Sequence, residues 1–577
     1  MDALKQLNGR RLRPLIWPAA LLFSLLGFLL FGQSAQGGCD QSVEIPLAEV
    51  LGHDGSSPPP TGTRVHTGGV VTGVYPGRDG LNGFFIQSRG RGQELDSGLF
   101  VYAPALPDAQ WETLQPGVRV QVEARFDEYR GWPQLRRVDR LRLCGEPGVP
   151  EPAALELPVD RDSLERYHGL LVDFPQGLVV TGNYELGRFG SLAVSAEQRL
   201  LRTRSGPEDA LLRQIVLDDG SYRSNPDPIP YLDDHGTRRS GDTVTELLGV
   251  LVHAFDAWRV HPVGPVVFES GNPRPELPEP LSGLRLATLN VENYFLTLGE
   301  RGADSREALQ RQRGKLLATL KGLDADLLAL MELENRPGVL DDLLRRLNEA
   351  LPADRAYRRL DGPDQVGSDA IRVALVYRPQ ALEALTPVLA DEHRAHNRTP
   401  VAAVFRPRDG GAPFLAAAVH FKAKTGCPES GDVDRGQGCW NELRTRQSRA
   451  LLAFADRQST AHGVESVALL GDFNSYAAED PVRTLEDAGF VNLVAAHLPP
   501  ERQYSYVFRG EAGMLDYAFG NAALARRVTG ATVWHVNADE PVFLAYDRRG
   551  GKAGLAADQP WRSSDHDPVI IGLEKKP

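Results

Sequence analysis

The chain has 577 residues, of which 42% are apolar and 24% are charged. This length exceeds what one hydrophobic core usually supports, and the composition is that of a globular protein. A single small domain and a disordered chain are therefore both excluded. The formal net charge is −12. Because that charge repels polyanions at long range, any affinity for nucleic acid must come from a local surface or from bound metal.

The N-terminal residues 1–38 predict an export segment. Lys5, Arg10, Arg11 and Arg13 precede an apolar stretch over residues 15–32, and small and polar residues follow it. This order is typical of a secretory signal peptide, and the stretch is also close to the ~18 residues that span a bilayer. The segment is therefore interpreted as a signal peptide or a retained membrane anchor. The expected location is extracellular or, with the anchor retained, periplasmic or on the cell surface.

The chain has four cysteines, and their positions are consistent with disulfides in an exported protein. They are Cys39, Cys144, Cys427 and Cys439, and they allow three pairings. The first two bracket one predicted module, and the last two bracket a short polar loop. Cys39–Cys144 and Cys427–Cys439 are therefore the expected disulfides of an exported protein.

Two proline-rich stretches divide the rest of the chain. Residues 145–158 and 270–283 lack apolar periodicity and contain several prolines, which is typical of linkers. The predicted domains are a β-module over residues 39–146, a second β-module over residues 153–275, and a larger region over residues 281–577.

The two β-modules resemble each other and indicate a diverged repeat. The sequence VVTGVYPGRDGLNGFFIQ from Val70 matches VVTGNYELGRFGSLAVS from Val179. Both modules alternate apolar and polar residues between Gly or Asp turns, so each predicts a small β-barrel. The first resembles the OB-fold modules that precede secreted bacterial nucleases, a fold that often binds nucleic acid. Its aromatic residues are either core residues or candidates for base stacking, namely Phe84, Phe85, Tyr129 and Trp132.

The C-terminal region alternates helix and strand patterns. Leucines at helical spacing over residues 305–323 and 339–351 predict amphipathic helices. Apolar runs of strand length lie between and after them, namely DLLALM, IRVALVY, FLAAAVHF, SVALLGDF and PVIIGL. This alternation predicts a layered α/β domain.

Several of these strands end in reactive side chains rather than in turn residues. Carboxylate and amide oxygens are ligands for Mg²⁺, Mn²⁺ or Ca²⁺, and histidines beside acids suit phosphoryl transfer. The pattern predicts a divalent-metal phosphoesterase, with Mg²⁺ as the expected ion and Mn²⁺ or Ca²⁺ as alternatives. The candidate site residues are Asn290, Glu332, His420, Asp472, Asn474, Asp516, Asp565 and His566.

The ordered set N…E…H…GDFN…D…SDHDP resembles the deoxyribonuclease I-like members of the endonuclease/exonuclease/phosphatase family. With the β-modules in front, the chain resembles the secreted bacterial nucleases of that family. The resemblance implies a four-layered α/β sandwich preceded by two small all-β, OB-like modules. It also implies that Asn290, Glu332 and Asp565 bind the metal ion.

The same resemblance implies catalytic roles for the remaining candidates. Asp472 would orient or deprotonate the attacking water, and Asn474 would hold this water or a phosphate oxygen. His566 would contact the scissile phosphate as a cation or a general base, with its tautomer fixed by Asp516. His420 would be a second imidazole on the phosphate or the leaving group. Whether Asp472 or His566 takes the proton stays open at this point.

The chain departs from the family pattern at one position and leaves other assignments open. The family usually has glutamine before the ligand glutamate, whereas this chain has Met331. Glu334 has the same strand parity as Glu332 and is the alternative ligand. Other cationic residues are either phosphate contacts or solvated surface residues, namely Arg372, Arg378, Lys422, Lys424, Arg444, Arg446 and Arg449.

These patterns predict an exported, metal-dependent nuclease that hydrolyses DNA with little sequence preference, with RNA as an alternative substrate. Two other interpretations stay open: the same site acting on phospholipid or nucleotide, and a surface nucleic-acid-binding protein with an inactive nuclease domain. No stable protein partner is expected, and membrane contact is expected only through the N-terminal anchor. Because every candidate residue follows Gly283, residues 281–577 alone are expected to hydrolyse substrate. The β-modules either strengthen binding to long DNA, so that their loss weakens it, or serve only export, folding or surface attachment.

Overall fold

The computed structural model describes residues 39, 44–88, 96–196, 198–203, 211–547 and 558–575. The predicted export segment, residues 1–38, lies outside the described residues. Residues 39–577 form one compact unit. In the part of the chain that the structure describes, no helix combines the length and apolar character needed to cross a membrane.

The first module is a closed β-barrel. Its elements are α1 (Leu47–Leu51), β1 (Arg64–Tyr75), β2 (Gly83–Ser88), β3 (Ser97–Tyr102), α2 (Asp108–Trp111), β4 (Arg119–Tyr129) and β5 (Trp132–Leu143). The strand order is β1-β2-β3-β5-β4, and β1 pairs with β4 to close the barrel. Inward-facing apolar side chains such as Val71, Phe84 and Phe126 fill the interior. The Cys39–Cys144 disulfide is formed as predicted.

The second module is also built almost entirely of strands. Its elements are β6 (Ala153–Ala154), β7 (Val159–Asp160), β8 (Leu171–Asp173), β9 (Leu178–Gly182), α3 (Leu186–Phe189), β10 (Leu192–Ala196), β11 (Leu200–Arg202), β12 (Leu211–Leu212), β13 (Gln214–Leu217), β14 (Thr243–Glu246), β15 (Leu248–Ala254), β16 (Ala257–Pro262) and β17 (Val267–Glu269).

Strand pairing in the second module repeats that of the first. Five strands of the second module pair in the order β9-β10-β13-β16-β15. This order corresponds to the order β1-β2-β3-β5-β4 in the first module. The parallel β13–β16 pair corresponds to the parallel β3–β5 pair. The last strand of this set is interrupted at Leu247, so β14 pairs with β9 while β15 pairs with β16. This common pairing supports the predicted repeat.

The C-terminal region contains two large sheets and their helices. Its elements are β18 (Leu284–Tyr294), α4 (Arg306–Leu323), β19 (Leu327–Glu334), α5 (Val339–Glu349), β20 (Arg358–Arg359), β21 (Ile371–Tyr377), β22 (Leu382–Ala384), β23 (Leu389–Ala390), β24 (Val401–Pro407), β25 (Phe414–His420), α6 (Asn441–His462), β26 (Ser466–Asp472), α7 (Asp480–Asp487), β27 (Val491–Asn492), α8 (Leu493–His497), β28 (Tyr506–Phe508), β29 (Glu511–Gly513), β30 (Asp516–Gly520), α9 (Ala522–Ala525), β31 (Val528–Val533) and β32 (Val569–Leu573).

The two sheets stack face to face between layers of helices. One sheet has the order β20-β21-β19-β18-β32-β31, and the other has the order β22-β24-β25-β26-β30-β27. Their inner faces share one core, to which Leu286 and Ala417 both belong. The outer face of the first sheet packs against α4 and α5 through Leu316 and Leu343, and the second packs against α6 through Phe454. The layering is therefore helix, sheet, sheet, helix, as the resemblance implied.

The second module and the C-terminal region share a buried, charged interface. Asp539 and Glu540 have no exposed surface, and Arg199, Arg239 and Arg274 of the second module pair with them. Apolar residues at 543 and 544 belong to the core of the second module, and β11 pairs with β29 in parallel. Part of the surface of the C-terminal region is therefore buried only when the second module is present.

Candidate active site

The predicted site residues meet at one edge of the stacked sheets. β18 and β19 run parallel in one sheet, and β25 and β26 run parallel in the other. Asp472 lies opposite His420 on one side and opposite Asp516 on the other side. Because the carboxyl ends of parallel strands point in one direction, side chains far apart in sequence are brought together there.

The backbone of the strands that border the site is irregular. The pairing register shifts between Asn290 and Tyr294 and again between Leu330 and Leu333, so Glu332 lies in a bulge. Glu332 has φ of 67° and Asn474 has φ of 46°, both in the left-handed region. Bulges and such strained residues concentrate at functional sites because they redirect side chains.

His566 is oriented by a buried hydrogen bond to Asp516. Its Nδ1 lies 2.6 Å from Asp516 Oδ2, which also accepts a hydrogen bond of 2.7 Å from Ser505 Oγ. Burial disfavours the imidazolium, but the carboxylates of Asp516, Asp565 and Asp472 outweigh it and raise the pKa of His566 well above its usual value. Burial raises the pKa of Asp516 to about 6, against the effect of the adjacent imidazole. We assign the shared proton to His566 Nδ1.

Asp472 lies at the centre of the cluster and is 1% exposed. Its Oδ1 accepts the N–H of Asn474 at 2.8 Å. Its Oδ2 lies 3.4 Å from Asn290 Nδ2, 3.3 Å from His420 Nε2 and 4.0 Å from His566 Nε2. Burial opposes ionisation, but the charge of His566 and the hydrogen bond from His420 prevail and lower the pKa of Asp472. Asp472 is therefore a carboxylate at neutral pH.

His420 has a different environment from His566, although both are buried. Burial lowers the pKa of His420, and the nearby guanidinium of Arg398 lowers it further. Its Nδ1 makes no hydrogen bond with the described residues. The site therefore combines a neutral imidazole with a charged one.

Of the three predicted metal ligands, Asn290 and Glu332 lie beside this cluster, whereas Asp565 lines a different cavity from Glu332. Glu332 Oε2 accepts the N–H of Asn293 at 3.0 Å, and Oε1 lies 3.9 Å from His420 Nε2. Asn290 contacts Asp472, and Asp565 adjoins His566. Glu334, the alternative ligand, accepts the N–H groups of residues 296 and 297 at 2.7 and 3.1 Å, so it stabilises a loop.

A group of side chains other than the predicted ligand set has the spacing of a metal site. One ligand atom each from Asp472, Asp516 and His566 lies within 4.8 Å of the others. The His566–Asp516 contact at 2.6 Å is a hydrogen-bond distance, and it occupies Nδ1. We therefore regard this group as a hydrogen-bonded pair beside a carboxylate.

The cluster opens into a cavity of about 1050 Å³. Glu332, His420 and Asn474 line it from the C-terminal region, and Arg202 and Trp258 line it from the second module. The Cys427–Cys439 disulfide, formed as predicted, lies in the same wall. A further cavity of about 950 Å³ is lined by Asp565, and Tyr506 lines both cavities.

Several of the predicted phosphate contacts have structural roles instead. Arg444 is fully buried and donates to Ser475 Oγ and to the carbonyl of Cys439. Arg372 donates to a loop carbonyl, and Arg378 pairs with Asp324. Lys424 pairs with Glu479, Lys422 lies over the ring of Trp440, and Arg446 and Arg449 are exposed on α6.

Residues that the sequence did not single out also contact the site. Arg398 is 8% exposed, donates to the carbonyl of Phe421 at 2.7 Å and acts on His420 through its charge. Ser505 positions Asp516, and the ring of Tyr506 lies 4.8 Å from that of His566. The alternation of Tyr504, Ser505 and Tyr506 predicts a strand, but no local signal relates it to Asp516.

The C-terminal region is similar to known proteins. Residues 287–566 match the Endonuclease/Exonuclease/phosphatase family. No curated protein sequence matches the chain. Similar solved structures include the human nocturnin catalytic domain with bound sulfate, at 16% identity, covering 50% of this chain and 93% of that one, with a TM-score of 0.32.

Two bacterial structures are similar over the same half of the chain. An endonuclease/exonuclease/phosphatase from Bacteroides vulgatus is 16% identical, with 50% of this chain and 99% of that one covered and a TM-score of 0.33. A mannosyl-6-phosphatase from Bacteroides thetaiotaomicron is 15% identical, with the same coverages and a TM-score of 0.33. The match to the endonuclease/exonuclease/phosphatase family, whose members hydrolyse phosphoester bonds, covers residues 287–566, a little under half of the chain.

Proposed function

We propose that this protein is an exported, metal-dependent nuclease that hydrolyses DNA phosphodiester bonds with little sequence preference. The observation that carries the proposal is the contact of Asp472 with His420, His566 and Asn290 at one wall of a large cavity. A carboxylate between two imidazoles can hold a water molecule and the oxygens of a phosphate together.

The residues proposed to hold a divalent ion are Asn290, Glu332 and Asp565. Their donors are carboxylate and amide oxygens, which suit Mg²⁺, with Mn²⁺ or Ca²⁺ as alternatives. Glu332 Oε1 makes no hydrogen bond with a described residue, although the side chain is only 16% exposed, so the site has a carboxylate oxygen that a cation would satisfy. When bound, such an ion neutralises charge on the phosphate oxygens and lowers the pKa of bound water.

The other side chains of the site are proposed to orient water, accept its proton and bind the phosphoryl oxygens. Asp472 is ionised and its Oδ1 is fixed by Asn474, so it is placed to orient water and to accept its proton. His566 carries its proton on Nδ1 toward Asp516, so we assign it the role of a cation that binds a phosphoryl oxygen. His420 would hold a second oxygen. These assignments favour Asp472 as the base in the choice that the sequence left open.

Export is proposed from the N-terminal sequence together with the disulfides. Both pairs, Cys39–Cys144 and Cys427–Cys439, are formed, and disulfides persist in oxidising compartments outside the cytosol. The proposed location is extracellular, or periplasmic or cell-surface if the anchor is retained.

The test is a panel of substrates incubated with the purified full-length protein. Supercoiled DNA, linear DNA, RNA and sphingomyelin are compared in Mg²⁺ and in a chelator. We expect cleavage of both DNA forms that requires the metal. Hydrolysis of sphingomyelin alone would assign the site to phospholipid, and no hydrolysis of any substrate would overturn the proposal.

A further inference from the structure

The strongly exposed aromatic side chains in the described part of the chain are concentrated on one face. They come from both β-modules and from the C-terminal region, and their exposed fractions run from 38% to 64%. Those from the second module and from β28 line the cavity that contains Asp565. The set is Tyr129, Tyr184, Phe189, Tyr222, Phe255 and Phe508. Single exposed aromatic residues are common on protein surfaces, but their concentration around one cavity marks a binding surface.

Arginines lie against these rings. The guanidinium of Arg130 lies 5.5 Å from the ring centre of Tyr129 and 5.4 Å from that of Phe255. Arg509 lies 5.4 Å from the ring centre of Phe508. Arg130 and Arg509 are exposed, and neither forms an ion pair with a described residue. We call the exposed aromatic residues, together with Arg130 and Arg509, the aromatic–arginine surface.

Some of the acidic groups near this surface are paired with arginines. Asp218 pairs with Arg259 at 2.7 Å, and Glu540 pairs with Arg274 at 2.8 Å. The cavity is also lined by Glu185, Glu292 and Asp565. The positive charge beside the rings is therefore local, and it comes from Arg130 and Arg509.

The surface leads to the candidate active site. Tyr506 and Phe508 occupy alternate positions of β28 and therefore share one face of that strand. Phe508 lines both cavities, and the ring of Tyr506 lies 4.8 Å from that of His566. A ligand that lies along the aromatic residues would thus reach the catalytic histidine.

We propose that the aromatic–arginine surface binds single-stranded nucleic acid and directs it to His566, so that unpaired strands are the preferred substrate. Aromatic faces stack on bases of any sequence, and cationic groups beside them bind the phosphates. The bases of a duplex are stacked on one another, so their faces are not free to pack on side chains. This inference rests on the proposed nuclease function, and it names the form of nucleic acid that the site accepts.

The binding experiment uses the full-length protein in a chelator, so that no hydrolysis is needed. The probes are a fluorescent oligothymidylate and its duplex with oligoadenylate, followed by fluorescence anisotropy. We expect the single strand to bind at least tenfold more tightly than the duplex. Phe255→Ala and Phe508→Ala should each weaken single-strand binding about tenfold, with unchanged melting temperatures because both rings are exposed. Leu277→Ala, at a residue that is 68% exposed elsewhere, is the control and should bind as the wild type does.

Salt dependence tests the arginines separately. Arg130→Ala should make the slope of log K against log salt shallower by about 0.7, the value for one phosphate contact on a single strand. Equal binding of strand and duplex, or wild-type binding by both aromatic variants, would overturn the inference. Binding to phosphatidylglycerol vesicles that is lost in the same variants, without oligonucleotide binding, would overturn it in favour of a membrane surface.

Hydrolysis separates this inference from the proposed function. In Mg²⁺, Phe255→Ala should raise KM for a long single strand at least tenfold and leave kcat on bis(4-nitrophenyl) phosphate unchanged. Strand binding that depends on the aromatic residues without any hydrolysis would refute the nuclease function and retain the surface. Hydrolysis with wild-type KM in both aromatic variants would retain the function and refute the surface.

Discussion

The hydrogen bond between Asp516 and His566 determines how the imidazole of His566 is presented to the cavity. Asp516 accepts the Nδ1–H of the His566 imidazolium and so fixes the orientation of the ring. The same carboxylate accepts a hydrogen bond from Ser505 Oγ, which holds Asp516 in place. Asp516 and Ser505 are both buried. Loss of either side chain therefore leaves the hydrogen-bond partner without a replacement from bulk water.

We expect Asp516→Asn to lower kcat about 10² to 10⁴-fold, because the buried charge that favours the imidazolium is lost. Ser505→Ala retains that charge and should cost about tenfold. Steady-state kinetics on bis(4-nitrophenyl) phosphate check both values. Asp487→Asn, at an exposed position on α7, is the matched control and should leave kcat unchanged. A near wild-type kcat for Asp516→Asn would show that His566 does not depend on this partner.

At the residue level, the meeting of His420 and Asp472 was predictable from the sequence, because each ends an apolar run at the same sheet edge. Asp516, Asp565 and His566 instead come before or at the start of their strands. Asp472, His420 and Asp516 are in register across adjacent strands. Arg398 and Ser505 were not predictable, because they act through contacts between segments far apart in sequence. The stacking role considered for Phe84 and Phe85 is wrong, since Phe84 is buried in the barrel and Phe85 is buried against the second module.

At the level of elements, the loop closed by Cys427–Cys439 forms part of the cavity wall. Lys424 and Gly438 line the cavity beside the disulfide, and Lys424 pairs with Glu479. The bond thus limits how far this wall can move away from His420.

Replacement of both cysteines, Cys427→Ser with Cys439→Ser, should lower the free energy of unfolding by about 2–4 kcal/mol. It should also raise KM for DNA several-fold with little change in kcat, because the loop shapes the cavity and does not touch the reacting atoms. Urea unfolding and steady-state kinetics measure the two effects. The paired control, Cys39→Ser with Cys144→Ser, should lower stability without changing KM. Equal KM values for both double variants would contradict a role of the loop in binding.

The disulfide pairing was predictable because each pair of cysteines brackets one segment of the chain. The layered α/β architecture was predictable from the alternation of strand and helix patterns. The interruption of the closing strand at Leu247 in the second module was not predictable. Glu246 and Gly249 flank this position, but the interruption depends on pairing with β9 and β16, which no local pattern contains.

At the level of the whole molecule, the second module is part of the structural support of the C-terminal region. Arg239 and Glu540 are separated by 301 residues and form a buried ion pair. Such a pair leaves no local signal in the sequence. Because this interface has no local signal, the sequence predicts that residues 281–577 function alone. The structure does not support that prediction.

The stability of this interface should depend on acid pH. Burial opposes ionisation of Asp539, but Arg199 and Arg239 outweigh it and lower its pKa to about 2. Since the unfolded chain has a pKa of about 3.9, the stabilisation is complete above about pH 4 and is lost as the pH falls toward about 2. Asp539→Asn should be about 3–5 kcal/mol less stable than the wild type at pH 7. That difference should shrink below about pH 4 in urea unfolding, and a constant difference down to pH 2 would contradict the ion pairs.

We expect residues 281–577, produced alone, to be insoluble or poorly folded, because Asp539 and Glu540 lose their arginine partners. The same fragment carrying Asp539→Asn and Glu540→Gln should be more soluble, since the unpaired charges are removed. Yield and circular dichroism compare the two fragments. A soluble unmodified fragment with the kcat of the full-length protein would restore the expectation from the sequence.

The proposed function requires metal-assisted hydrolysis at Glu332, and one kinetic comparison tests this requirement most directly. The full-length protein and its Glu332→Gln variant, which differ in charge but hardly in shape, are assayed on single-stranded DNA with Mg²⁺ and with a chelator. We predict hydrolysis by the wild type that the chelator stops and Mg²⁺ restores, and a rate at least about 10²-fold lower for the variant with an unchanged melting temperature. Near wild-type hydrolysis by Glu332→Gln, or undiminished hydrolysis in the chelator, would contradict metal-assisted hydrolysis at Glu332.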